Sequence, residues 1–344
     1  MLFRSQGVVR SHVQHAAQHA LVAMPAMPAT AEPLQVVAHL ALVARNTKVM
    51  YLPTPKAACT TIKLMLATAE GSHRPEMADR LAVMHVSRAQ TIHHSEVHGL
   101  TRLADLSARE RATVLTSPEW LRVASVRDPV ARAYSAWENR IFMRAHRRTK
   151  TIIKLAHDVT VDGRIDVAAS FAHFAKVLGE HADTFMTDHH FQPQARLVHP
   201  EAVDYGQLVR VDQQGEIDAL ARSLSERSGK PVTATRLNEG LGVKVDRVCD
   251  VHTANRLMAT YATDYDKFGF ARRDWSATVE PLYLGDMEAR LLAHYRNVFE
   301  RSISVAQESQ RRVGARYGFG QMTRGLWRAV RGERGLRDPR EVQP

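Results

Sequence analysis

Residues 51 to 63 read YLPTPKAACTTIK and follow a short apolar run. The stretch has the pattern of a strand, a tight proline-rich turn and the opening of a helix that carries two hydroxyls. Pro53 and Pro55 fix φ and keep the approach from starting a helix early. A helix N-terminus offers backbone N–H groups that lack partners within the helix, and a partial positive charge with them. A phosphate placed over Ala58 to Thr61 would meet those groups, with Lys56 adding a formal charge. The glycine-rich loop ending in Gly-Lys-Ser/Thr is absent, which disfavours an ordinary ATPase or GTPase.

A second junction lies at residues 121 to 142, LRVASVRDPVARAYSAWENRIF. Leu121 to Val126, with β-branched Val123 and Val126, fit a buried strand, and Asp128 with Pro129 fit an N-cap and first helical residue. Arg127 then stands at the strand's carboxyl end, the edge at which open α/β sheets collect ligands. Arg132 and Ser135, three apart, share one face of the following helix, and a guanidinium with a hydroxyl makes a second anion site. Two such junctions suit a ligand with phosphate groups at two ends.

The pairing of PKAACTT with VRDPVARAYSAW resembles the carbohydrate sulfotransferases that sulfate chondroitin, dermatan and glucuronyl glycans. VHGLTRLADLSARERATVLTSPEW resembles the family's segment ahead of the second motif, VDYGQLVRVD its later strand, and YATDYDKFGF its closing signature. The likeness runs from about Lys48 to Phe270. It implies an α/β, P-loop-like three-layer fold with a mainly parallel central sheet flanked by helices. It also implies 3′-phosphoadenosine 5′-phosphosulfate (PAPS) as co-substrate, and a carbohydrate or glycolipid hydroxyl as acceptor. By the same resemblance Lys56, Ala57, Ala58, Cys59, Thr60 and Thr61 surround the 5′-phosphosulfate, while Arg127 and Ser135 hold the 3′-phosphate. The family's cysteine-rich signature near the later strand is missing, as expected of a chain that does not mature in an oxidising compartment.

Composition agrees. The 344 residues can bury a substantial core, and the net charge of +11 favours anionic partners without choosing among them. Two cysteines, Cys59 and Cys249, make no disulfide scaffold, and the expectation is a reduced, cytoplasmic, bacterial-type protein. Cys59 reads as loop backbone and packing rather than a catalytic thiol, because no base partner is evident. The organisation reads as an N-terminal extension over 1–45, a sulfotransferase domain over 46–275 and a basic helical extension over 276–344. The N-terminal stretch is interrupted by His15, His19 and prolines, unlike a secretory signal. No apolar run reaches membrane-spanning length.

Sulfuryl transfer needs charge on the leaving phosphate to be neutralised, an in-line hydroxyl, and a base for its proton. Lys56 is the expected cation, and Thr60 and Thr61 the expected orienting hydroxyls. His93 and His94, in TIHHSEVHGL between the two junctions, are the preferred bases, with Glu96 behind them. Adjacent His189 and His190 beside Asp188 do not have the spacing of a zinc site, so no metal is expected; the resemblance places the corresponding loop near the active-site cleft and by that alone implies an acceptor contact for His190. Glu138 to Lys150, crowded with Arg140, Arg144, Arg147, Arg148 and Lys150, and the polar Thr151 to Asp166 that follows, read either as a mobile acceptor-side loop or as a solvated helix face, and Val167 to Leu178 as a helix with Phe171, Phe174, Ala175 and Leu178 in the core.

Val279 to Ala306 reads as a helix, and the basic segment Arg311 to Arg334 as a frayed tail or a peripheral membrane contact. A kinase-like phosphoryl transferase would need Mg²⁺ and an ATP-type loop. A non-enzymatic binder of anionic lipid or nucleic acid is the remaining class, though no nucleic-acid fold signature appears.

Overall fold

The computed structural model describes residues 32–82, 87–144, 150–235, 237 and 240–313. Seven strands are present among them: β1 (Leu42–Ala44), β2 (Val49–Leu52), β3 (Thr101–Arg102), β4 (Leu121–Val126), β5 (Val159–Val161), β6 (Arg164–Asp166) and β7 (Gln207–Arg210). Described helices of eight or more residues are α1 (Pro33–Leu40), α2 (Cys59–Glu70), α3 (Pro75–Ala82), α4 (Ala108–Thr116), α5 (Pro129–Trp137), α6 (Val167–Glu180), α7 (Glu216–Ser228), α8 (Val251–Thr260) and α9 (Asp286–Val313).

The central sheet has the order β3-β1-β2-β4-β7. Strands β2, β4 and β7 are parallel, with Tyr51 opposite Val123 and Ala124 opposite Leu208, while β1 runs antiparallel to β2 and β3. Every residue of β2 is buried, as expected of a strand covered on both faces. Its side chains divide by the two-residue period of a strand. Met50, Leu52, Ala124 and Val126 enter a core with Val130 and Trp137 of α5, Phe171 and Phe174 of α6 and Leu257 of α8. Val49, Tyr51, Val123 and Val209 enter the other, with Ile62 and Leu66 of α2 and Leu220 and Leu224 of α7. The result is three layers around a mainly parallel sheet.

Of the two compact units, the larger holds the described residues from 32 to 299. It takes in α1 and β1, which lie N-terminal of residue 46, and the beginning of α9 beyond residue 275. Helix α6 is capped by Asp166, whose carboxylate accepts the N–H groups of Ala168 and Ala169, and its expected core residues are buried. Of the two readings of the middle segment, the loop is corrected. Thr151 to Asp166 is not a loop but the body of a short helix, Lys150–Leu155, followed by the β5–β6 hairpin. Asp162 and Gly163 at its tip have φ of 49° and 76°, and two positive values in a row are what a type I′ turn requires.

Helix α9 begins later than its sequence pattern, after Pro281 and Gly285. Among the described residues no helix is long and apolar enough to cross a membrane. The N-terminal stretch before residue 32 and nearly all of Arg311 to Arg334 lie outside the described residues.

Candidate active site

The first junction follows β2. Ala57 N–H donates to Thr54 C=O at 3.2 Å, closing the turn. Lys56 and Ala58 both sit at positive φ, 66° and 54°. A non-glycine residue there costs roughly 1–2 kcal/mol, and such strain gathers where a backbone is shaped for a ligand. Helix α2 then opens at Cys59 without a side-chain cap from Ala58, which leaves its first-turn amides directed at the turn. Thr54 Oγ1 is buried with no hydrogen-bond partner among the described residues. Sequence reading did not single out Thr54. Thr61 Oγ1 donates to Thr235 C=O at 3.1 Å, and Thr60 Oγ1 lies 3.3 Å from His93 Nε2.

The second junction follows β4 as the sequence implies. Asp128 caps α5 by accepting Ala131 N–H at 2.8 Å, with Pro129 in the first turn. Arg127 reaches across and donates to the carbonyl of Lys56 at 3.4 Å, so the two junctions meet. Its main chain is held by Gln194, whose Oε1 accepts Arg127 N–H at 2.9 Å and whose Nε2 donates to Arg127 C=O at 2.8 Å. Gln194 in turn donates its own N–H to buried Asp264. Ser135 lies half-buried on α5.

Arg132 departs from its expected part in an anion site. It is fully buried, and its nitrogens donate to the carbonyls of Pro55 at 3.0 Å, Gln192 at 2.8 Å and His189 at 3.3 Å. It is a brace beneath the first junction, tying it to the 188–192 loop, because a buried guanidinium fills its donor positions with whatever acceptors surround it.

Two charged residues to which the sequence assigned no part beside Lys56 complete the site. Glu138 and Arg140 lie in a π-helical turn, Glu138–Phe142, that ends α5; such turns recur at functional sites and shift the side-chain phase. Burial, followed by the charge of Arg140, holds the Lys56 ammonium down to about 7, with Arg127 acting in the same sense and Cys59 and Glu138 opposing. The Glu138 carboxylate is buried, which raises its pKa, and it accepts Leu241 N–H at 2.7 Å.

The histidines separate by environment. His93 is exposed, and its Nδ1 lies 3.2 Å from Lys63 Nζ. His94 is buried and precedes a short helix, Ser95–His98; burial lowers its pKa. His98 is held down to about 3 by burial and then by Lys63, and its Nδ1 accepts Leu100 N–H at 2.9 Å.

On the far side of the site, Asp188 Oδ1 lies 2.7 Å from His190 Nδ1, and Asp188 Oδ2 accepts Arg140 Nε at 3.1 Å and Nη2 at 2.8 Å. Burial alone would raise the Asp188 pKa, but His190 and Arg140 together carry it well below the carboxylate range. Asp188, His189 and His190 bring one ligand atom each within 4.8 Å of one another. The Arg140 guanidinium already paired with Asp188 opposes a further cation there.

The molecule is thus an α/β protein with two cationic strand-to-helix junctions meeting at one sheet edge. The sulfotransferase family model matches residues 39–271, more than half of the chain, and the chain belongs to that family, whose members transfer sulfuryl groups. No curated protein and no solved structure gives a significant match.

Proposed function

We propose that this enzyme moves the sulfuryl group of PAPS to a hydroxyl of a carbohydrate or glycolipid acceptor by in-line displacement. The observation that carries this is the contact of Arg127 with the Lys56 carbonyl, which brings the guanidinium of one junction onto the main chain of the other, near enough to the Lys56 ammonium for its charge to act there. A donor with a 5′-phosphosulfate and a 3′-phosphate has one anion for each. The loop of Lys56, Ala57, Ala58, Cys59, Thr60 and Thr61 takes the phosphosulfate, and Arg127 with Ser135 the 3′-phosphate. Lys56 neutralises charge on the leaving oxygen, an effect whose loss typically costs roughly a hundredfold to a thousandfold in rate.

Calorimetric titration of adenosine 3′,5′-bisphosphate without metal tests this, with Mg-ATP as control. Micromolar or tighter binding, weakened at least about tenfold in Lys56→Ala and in Arg127→Ala, is the expected result. Preference for Mg-ATP would favour a kinase-like phosphoryl transferase instead.

A further inference from the structure

His190 is framed as a proton acceptor more completely than the histidines between the junctions. Asp188 Oδ1 faces His190 Nδ1 at 2.7 Å and also accepts the His190 main-chain N–H at 3.0 Å. A carboxylate on Nδ1 holds the proton there and leaves Nε2 with its lone pair. No hydrogen bond engages His190 Nε2 among the described residues. Asp188 cannot swing away, because both Arg140 nitrogens hold its other oxygen. The side chains of Arg140 and Asp188 are 8% and 11% exposed, so little water screens the pair.

This dyad belongs to the same site as the first junction. Arg132 binds Pro55 C=O on one side and the carbonyls of His189 and Gln192 on the other. Arg140, the partner of Asp188, also exerts the largest ionic influence on Lys56. His93 is placed differently: one ring nitrogen faces the Lys63 amine and the other the Thr60 hydroxyl. Both ring nitrogens of His93 are thus engaged within the protein. The groups facing His190 are Asp188, Arg140 and the His189 ring, whose centroid is 4.4 Å away; burial, then Arg140 and His189, hold the His190 pKa well below the ordinary imidazole value, with Asp188 opposing them, so the resting ring is neutral and its Nε2 lone pair is open to a proton.

We infer, on the donor assignment above, that His190 is the general base and that its Nε2 takes the proton of the acceptor hydroxyl. In this step the acceptor oxygen bonds to sulfur and the bond from sulfur to the 5′-phosphate oxygen breaks. The electron pair of that bond leaves with adenosine 3′,5′-bisphosphate. The proton ends on Nε2, and the Asp188 carboxylate compensates the imidazolium. His93 then serves to position Thr60 and Lys63 beside the donor.

Turnover of radiolabelled PAPS, with desulfated chondroitin and with water as acceptors, is compared among wild type, His190→Gln, Asp188→Asn and His93→Gln. His190→Gln is expected to lose about a hundredfold or more, the usual range for a general base, with bisphosphate affinity within about threefold of wild type. Asp188→Asn is expected to lose about tenfold or more, and His93→Gln less than that. A loss under tenfold in His190→Gln, or a matching loss of bisphosphate affinity, overturns the assignment. A second measurement is independent of turnover. Diethyl pyrocarbonate labelling mapped by mass spectrometry is expected to modify His190, with protection by PAPS, whereas an unlabelled or unprotected His190 overturns it. Failure of wild type to bind bisphosphate would overturn the donor assignment itself, so the two failures are told apart.

Discussion

The Arg127 guanidinium donates to the main-chain carbonyl of Lys56 at 3.4 Å, while Gln194 holds both main-chain groups of Arg127. The arginine thus aims its side chain from a fixed backbone, and one residue couples the turn after β2 to the turn after β4. Hydrogen bonds to charged groups contribute about 1.5–3 kcal/mol. Arg127→Ala should therefore weaken adenosine 3′,5′-bisphosphate binding roughly tenfold to a hundredfold by calorimetry. Arg127→Lys should recover only part of that, since an ammonium cannot serve the Lys56 carbonyl and a phosphate with one planar fork. Equal affinities for wild type and Arg127→Ala would remove Arg127 from the donor site.

Lys56 offers a signature that needs no acceptor. Its ammonium is held down to about 7 by burial and by Arg140, so most of the population is neutral at pH 8. A bound dianion favours the charged form, and binding should then draw a proton from solution. Calorimetry at pH 8 in buffers of differing ionisation enthalpy should report uptake approaching one proton, shrinking toward zero at pH 6. Lys56→Met should abolish the buffer dependence. Uptake unchanged in that variant would assign the proton to another group.

Arg132 supports the site from beneath without belonging to it. Replacing it with leucine leaves the carbonyls of Pro55, Gln192 and His189 without their buried donor. Each buried acceptor left unsatisfied costs about 1–3 kcal/mol, so a total of at least about 3 kcal/mol is expected in urea unfolding. Bisphosphate affinity should fall with it, because the first junction and the 188–192 loop lose their common tie. A stable variant with normal affinity would show that the two loops are held by other means.

The junctions could be found in the sequence because proline, lysine, threonine and Asp-Pro punctuate strand ends and helix starts locally. Lys56 to Thr61 and Arg127 stand where that punctuation places them. Arg132 could not be resolved the same way, since its spacing fits an anion site and only its burial shows that backbone carbonyls consume its donors. Glu138 and Arg140 were hidden by the π-helical turn, which alters the helical phase on which spacing arguments depend. Gln194 and Asp264 act across about 70 residues of chain, a distance no local pattern spans. The β5–β6 hairpin has strands of three residues each, too short for a two-residue period to register, so only its Asp-Gly tip could have marked it.

His98 provides a test of burial rather than chemistry. Its folded pKa of about 3 lies below the unfolded value near 6.5. Between those values the unfolded chain binds the extra proton, so the contribution is complete above about 6.5 and stability falls as pH drops below it. The slope for one such group is about 1.4 kcal/mol per pH unit. His98→Asn keeps an acceptor for Leu100 N–H but does not titrate. Urea unfolding between pH 7 and pH 5 should show a wild-type slope steeper than the variant's by about one proton. His94, His189 and His190 are present in both proteins, so the difference isolates His98. Parallel slopes would mean that His98 is protonated in the folded protein and that the segment between the two junctions opens to water.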